Sequence, residues 1–465
     1  MLRTILKQEI LHNLYSLRFQ VSLALVLCIF VVGSVSFVKS HDAGLKKYQE
    51  VQAQYTEEMR DEAKSSATAL AVNRKTYTLR SRDNGFIYDG KEKYLPNAIV
   101  FSAWNVFSFL NRSGSTNPFL NAFEELNWSF IVALILSFVA LLFTFDAVSG
   151  EKESKTLALA LSNSVSRGTL LFGKYISAIL TFLAMVLPGI ALSILVVLLS
   201  GRVSLGSAFI LETVGFLVVA ILMAAVLAAF GLLCSVVARN SNISLLLALA
   251  FWILFAVVIP NSSTFIAKTF FPIERTEAVQ KKIAATLGDL SKNAPPGSWM
   301  MNTGKPFLPQ HELRANLQRK RFEAEKGIQD AYFQSQFRQF EKTRLLTAVS
   351  PVPLFQYLTE AVVGGGYPRF RKVWDDFHVY QGQFLAFFKN LDAQDPQSPH
   401  WYNPSENVST TRKPVVFETV PQFVEKPMTF AERVKPALVF LVINVVYACL
   451  IFFLSFVLFV RYDVR

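Results

Sequence analysis

Residue types that commonly do chemistry are present but not in working arrangements. The five histidines, His12, His41, His311, His378 and His400, are scattered along 465 residues. A helical zinc-protease site needs a second His four positions after the first, and His311-Glu312 has none. No Gly-x-Ser-x-Gly nucleophile elbow occurs. One segment, Gly168-Thr-Leu-Leu-Phe-Gly173-Lys174-Tyr175, satisfies the first seven positions of a phosphate-cradling P-loop. The eighth position must supply a Ser or Thr hydroxyl to Mg²⁺, and here it is Tyr175. The segment also leads straight into an apolar run instead of joining a buried strand to a soluble helix. This inventory argues against an enzyme, and any ATP used, with its Mg²⁺, is expected on another chain.

A different activity, gripping a partner, fits Asp146-Ala-Val-Ser-Gly150-Glu151-Lys152-Glu153-Ser154-Lys155-Thr156-Leu157, followed by Ala158–Leu161 and the turn cluster Ser162–Gly168. Ten or eleven helical residues reach only about 15 Å, too short to cross a bilayer. The piece is therefore expected to lie along a membrane surface, its acidic first turn matched to the helix dipole. It reads either as an amphipathic surface helix or as a handle for a partner on that side.

The elements that must position this loop are apolar. The chain is 52% hydrophobic and only 17% charged, with a net charge of +12, which excludes a disordered or nucleic-acid-dominated protein. The apolar residues concentrate in six runs, 21–38, 128–145, 175–200, 208–237, 243–259 and 437–460, each near the roughly 20 residues a spanning helix needs. About 20 residues precede the first run and no small-x-small cleavage site follows it, so it reads as a retained signal anchor. Cys28, Cys234 and Cys449 all fall inside these runs and act there as small apolar residues. The runs are nearly free of ionisable residues, Asp146 and Glu212 standing only at their ends, which argues against an ion-driven carrier.

Charge orients the spans. With the N-terminus inside, residues 1–20, 146–174, 238–242 and 461–465 carry ten Lys and Arg, against Arg202 alone in the short connection on the other side. Both termini are therefore expected in the cytoplasm. Residues 1–20 alternate Leu2, Ile5, Leu6, Ile10, Leu14 and Leu17 with Arg3, Lys7 and Arg18, the pattern of an interfacial helix. Two long outer segments remain. The first starts as a helical stalk, with Leu45, Tyr48, Val51, Tyr55 and Met59 at spacings of three and four, then turns to short extended stretches around Asn84-Gly85 and Asp89-Gly90. The second is mildly basic, suited to anionic headgroups or an acidic partner. It carries a long charged helix over 312–346 stopped at Ser350-Pro351, and then an aromatic stripe, Phe370, Trp374, Phe377, Tyr380, Phe384, Phe387 and Leu391. Such a stripe belongs to a core or a docking face, and the Pro-rich stretch 395–427 is expected to be extended.

Together these residues resemble the type-2 class of ATP-binding-cassette (ABC) exporter permeases. Members carry an N-terminal elbow helix, six spans and, between the second and third, a pattern like Gly-Glu-(Arg/Lys)-Glu-x-Gly-Thr-Leu, then Ser-Arg and Gly-Lys. Here these are Gly150-Glu151-Lys152-Glu153-Ser154-Lys155-Thr156-Leu157, Ser166-Arg167 and Gly173-Lys174, with Lys155 in place of the second Gly. The two large outer insertions, with the helix start at Ser350-Pro-Val-Pro and the end at Gly364-Gly-Gly, look like a bacterial branch of this class.

The resemblance implies an α-helical integral membrane protein without catalytic, metal or cofactor residues of its own. Its parts are an elbow helix at 1–20, a first span at 21–38, an extracytoplasmic stalk and small domain at 39–127, and a second span at 128–145. A cytoplasmic coupling loop at 146–174 follows, then the third to fifth spans at 175–259, a large, mainly helical extracytoplasmic domain at 260–436, a sixth span at 437–460 and a cytoplasmic tail at 461–465. It further implies that Glu151, Lys152, Glu153, Thr156 and Arg167, with Arg239 and Asn240 of the second cytoplasmic connection, couple the spans to a separate ABC ATPase. The expected partners are that ATPase, a second copy or paralogue forming a dimer, the lipid of a bacterial inner membrane, and a periplasmic protein at the outer domains. A non-transporting anchor that transmits motion to such a protein is the alternative.

Overall fold

The computed structural model describes residues 2–90, 94–110, 126–162, 165–298, 309–396 and 413–462. Most of them are helical. Helix α1 (Leu2–Tyr15) ends where the Ser16 hydroxyl caps the next helix, accepting from the backbone N–H of Phe19 at 3.2 Å. Helix α2 (Leu17–Ser65) then runs unbroken for 49 residues, about 74 Å, so the first apolar run and the stalk are one rod. After a short helix α3 (Ala67–Val72), strands β1 (Lys75–Thr78), β2 (Ala98–Phe101) and β3 (Ser108–Leu110) form an antiparallel sheet, with Tyr77 opposite Ile99 and Ile99 opposite Phe109.

Five helices among the described residues are long and apolar enough to cross a membrane. They are α2 and, after the shorter apolar helix α4 (Trp128–Leu142) and two short helices α5 (Ser149–Glu153) and α6 (Thr156–Ser162), the helices α7 (Arg167–Ser200), α8 (Phe209–Val237), α9 (Ser241–Asn261) and, near the C-terminus, α15 (Phe430–Arg461). The run expected to span at 128–145 thus forms a helix three residues shorter. Its middle, Ile131–Leu136, is π-helical, and the Thr144 hydroxyl donates back to the carbonyls of Ala140 and Leu141 beyond its end. Gly231 of α8 sits against that hydroxyl, leaving no room for a side chain.

Helix α8 is the most buried of the five, and it packs along α15 as α2 packs along α7. Close approaches and polar links join the rest, as expected where lipid gives helices no hydrophobic reason to associate. Gly189 of α7 lies on the Phe30 ring of α2, and Ser193 accepts from the Trp128 indole at 2.6 Å while bonding Ser34.

A second, aromatic core lies beyond the bundle. Helices α10 (Ser263–Phe270), α11 (Thr276–Lys292), α12 (Pro309–Thr347), α13 (Pro351–Val363) and α14 (Gly366–Gln394) precede α15. The stripe on α14 buries Phe370, Trp374, Phe377, Tyr380 and Phe384 against the sheet and the far end of α2, with Phe101 edge-on to Phe377 at 5.0 Å between ring centres. The stripe is core, each ring burying area that a small sheet could not cover alone. Part of the Pro-rich stretch, 397–412, lies outside the described residues; 413–427 is non-helical apart from one turn at Phe417–Thr419.

Candidate functional site

The loop between α4 and α7 is not one surface helix. It breaks into α5 and α6 at Ser154 and Lys155, and Lys155 has φ 57°, the one left-handed non-glycine among the described residues. That conformation costs an L-residue roughly 1–2 kcal/mol and glycine almost nothing. A physical reason follows for the glycine that the resembling permeases carry here. Lys155→Gly is expected to raise stability by about 0.5–1 kcal/mol, read as a higher melting temperature in detergent with an unchanged helical signal.

The charged residues of the loop grip helix ends. The Lys152 ammonium donates to the carbonyls of Val236 and, at 3.0 Å, Ala238, where α8 ends and leaves carbonyls unpaired. Its other face lies 4.3 Å from the Tyr462 ring, and burial holds its pKa below the usual lysine value. Glu153 accepts from the N–H of Ser241 at 3.1 Å, and Asn240 accepts from the N–H of Ile243 at 3.0 Å. Between them they satisfy two N–H groups of the first turn of α9. Arg167 donates to the carbonyls of Val460 and Tyr462, both at 2.7 Å, closing the end of α15. Ser235 of α8 accepts from the N–H groups of Val148 and Ser149 at 2.8 and 2.9 Å, at the start of α5.

At the centre is Lys174, whose side chain is only 5% exposed. It pairs with Glu9 of α1 and Glu151 of α5, each at 2.7 Å. Gly168–Lys174 forms the first turns of α7, so its N–H groups belong to a helix and not to a phosphate cradle. Of the seven residues expected to couple, Glu151, Lys152, Glu153, Arg167 and Asn240 converge on this knot. Thr156 is exposed and bonds the Ser154 hydroxyl at 2.8 Å, and Arg239 is exposed. Sequence reasoning treated Lys174 only as part of a failed P-loop and a span start, and it missed Glu9 and Ser235. The clue was a Lys just ahead of an apolar run with acidic residues in both neighbouring amphipathic segments.

A second knot lies at the opposite ends of the same rods. Glu212, in the first turn of α8, pairs with Arg433 of α15 at 3.0 Å, both side chains under 10% exposed. Asn84 donates to the other Glu212 oxygen at 2.7 Å, and Arg433 also donates to the Val363 carbonyl at 2.8 Å. The chain after α13 passes close beneath: Gly364 (φ 78°) leaves no space beside Arg433, and Gly366 (φ 63°) none beside Glu360. Glu360 pairs with Arg344 at 2.7 Å and accepts from the N–H of Tyr367. The glycine run noted in the sequence is thus a backbone seat for two buried ion pairs. Helices α8 and α15 each touch both knots, roughly 40 Å apart along α8.

This architecture is that of a multi-pass α-helical membrane protein, with buried ion pairs at the ends of its apolar helices. A family model described as ABC-2 family transporter protein matches residues 3–464, and the chain belongs to that family. No curated protein matches the chain. Membership supports a permease component, the membrane subunit of an ABC transporter, and implies association with ABC ATPase subunits.

Proposed function

We propose that the chain is the permease half of an ATP-driven exporter of the bacterial inner membrane, and that it also moves a large extracytoplasmic domain. In this reading α4 supplies the sixth span, both termini are cytoplasmic, and the β-sheet with α11–α14 stands outside. ATP and Mg²⁺ stay on a separate ATPase. Two copies, or the chain and a paralogue, complete the path between them. The observation that carries the reading is that one short loop holds ends of α7, α8, α9 and α15 together. A push on Glu151, Lys152 or Glu153 reaches α7, α8 and α9 through direct side-chain contacts.

The roles then divide. Glu151, Lys152, Glu153 and Arg167 transmit, because they already grip this chain's own helices. Contact with the ATPase falls to the exposed part, Lys155, Thr156, Leu159, which is 74% exposed, and Arg239. Affinity purification tests this. Leu159→Asp is expected to lose a co-purifying ABC ATPase while the chain remains folded. Glu153→Lys is expected to keep the ATPase but lower ATP-dependent export. If no ATPase accompanies the unaltered chain, or if Leu159→Asp changes nothing, the reading is wrong.

The unbroken α2 favours a second reading, in which motion reaches the outer domain and a periplasmic partner and nothing crosses the bilayer. ATP-dependent export from vesicles rules that reading out.

A further inference from the structure

We propose that the cavity between α12, α13, α14 and the first three turns of α15 is a binding site for a zwitterionic phospholipid. The site does not depend on ATPase coupling. Its volume is about 570 Å³, within the range of ligand sites. One side is apolar: Leu345, Tyr357, Ala361, Ala437, Val439 and Phe440. The opposite rim is charged, with Arg371 and Lys372 one helical turn before Asp375 and Asp376 on α14; the Arg371–Asp375 and Lys372–Asp376 distances are 3.4 and 2.8 Å.

The occupant follows from what borders the cavity. Its two lips, Val439 and Leu345, are 46% and 52% exposed. Val439 continues a row of exposed residues down α15, Leu438, Val442, Val445 and Val446, on a helix apolar enough to cross the membrane. That row is the surface lipid tails cover, so the cavity opens sideways onto hydrocarbon. Leu345 continues an equally exposed apolar edge through Leu346 and Val349, with Phe265 and Phe270 exposed on neighbouring α10. A chain entering between the lips leaves its headgroup at the rim, beyond the end of the span. Positive and negative side chains there match a phosphodiester and an ammonium on one molecule, whereas a purely anionic headgroup meets as many carboxylates as cations. Each buried methylene contributes about 0.8 kcal/mol to such binding. The Arg344 guanidinium closes the inner end, 4.3 Å from the Tyr357 ring and neutralised by Glu360.

The test uses the full-length chain in vesicles of mixed phosphatidylethanolamine and phosphatidylglycerol, with either lipid carrying a photoreactive group near the end of one acyl chain. Illumination followed by peptide mapping is expected to place phosphatidylethanolamine adducts on residues 341–345 and 436–440. Leu345→Trp and Val439→Trp lie on exposed positions and leave folding intact; each is expected to reduce these adducts at least about tenfold, the loss of roughly 1.4 kcal/mol of binding. Adducts confined to the open faces of the spans, equal labelling by phosphatidylglycerol, or no response to either tryptophan overturns the proposal. Cross-links from residue 439 to a second copy of the chain overturn it equally, because they show protein covering the cavity.

Discussion

Arg433→Met is expected to destabilise the protein by about 3–5 kcal/mol, the usual cost of removing one partner from a buried ion pair. The cause is Glu212, left almost fully enclosed with a charge answered only by the amide of Asn84. The Val363 carbonyl loses its donor as well, and the glycine seat at Gly364 loses the guanidinium it was shaped around. A membrane protein of ordinary stability does not survive that loss intact, so the expected observation is poor yield or a sharply lowered melting temperature in detergent. The double variant Arg433→Met with Glu212→Gln separates charge from packing. Glutamine removes the stranded charge and still accepts from Asn84, so most of the stability is expected to return. If the double variant is as unstable as the single one, the buried charge is not the cause.

Lys174→Met at the other knot is expected to cost somewhat less, about 3 kcal/mol. Its two carboxylate partners keep roughly a quarter of their side-chain surface exposed, and water therefore screens part of the repulsion between them. The loss is not only of stability. Glu9 belongs to α1 and Glu151 to α5, so without the ammonium the N-terminal helix and the loop both come away from α7. Faster proteolysis at residues 1–16 and 149–162 reads that detachment directly. Adding Glu9→Gln and Glu151→Gln to Lys174→Met removes the repulsion and is expected to slow proteolysis again, though not to its original rate.

Much of this fold is legible in the sequence because lipid imposes a simple rule: a spanning segment satisfies its backbone internally and faces hydrocarbon. The apolar runs at 175–200, 208–237, 243–259 and 437–460 therefore locate α7, α8, α9 and α15 closely. The aromatic spacing on α14 marks a buried face for a different reason, the three-and-four period of an amphipathic helix, and the structure makes that face core. Harder to see are the places where side-chain chemistry overrides length. The helix beginning at Trp128 stops at Leu142, where the Thr144 hydroxyl turns back onto the carbonyls of Ala140 and Leu141 and Gly231 of α8 makes room for it. The loop helix breaks at Lys155, a bend that its residue type does not announce. The knots were beyond reach for another reason. Glu212 and Arg433 stand 221 positions apart, and nothing in a single sequence says that a charge beginning one apolar run answers a charge beginning another. Glu151, Lys152, Glu153 and Arg167 are legible in the sequence as coupling residues; what the sequence does not show is that each also grips an end of this chain's own helices.

That inward arrangement defines the central claim, that force applied at the loop travels along α8 and α15 to the far knot. Bistable packing carries such coupling only if both ends respond together. The most direct measurement is hydrogen exchange of the complex with its ATPase, with and without a non-hydrolysable ATP analogue. Nucleotide is expected to change amide exchange in residues 149–162 and also in 84–89 and 363–367, and Glu153→Lys is expected to abolish the second response while the ATPase remains bound. Changes confined to the loop and the adjacent helix ends, with the far knot indifferent to nucleotide, would contradict the account.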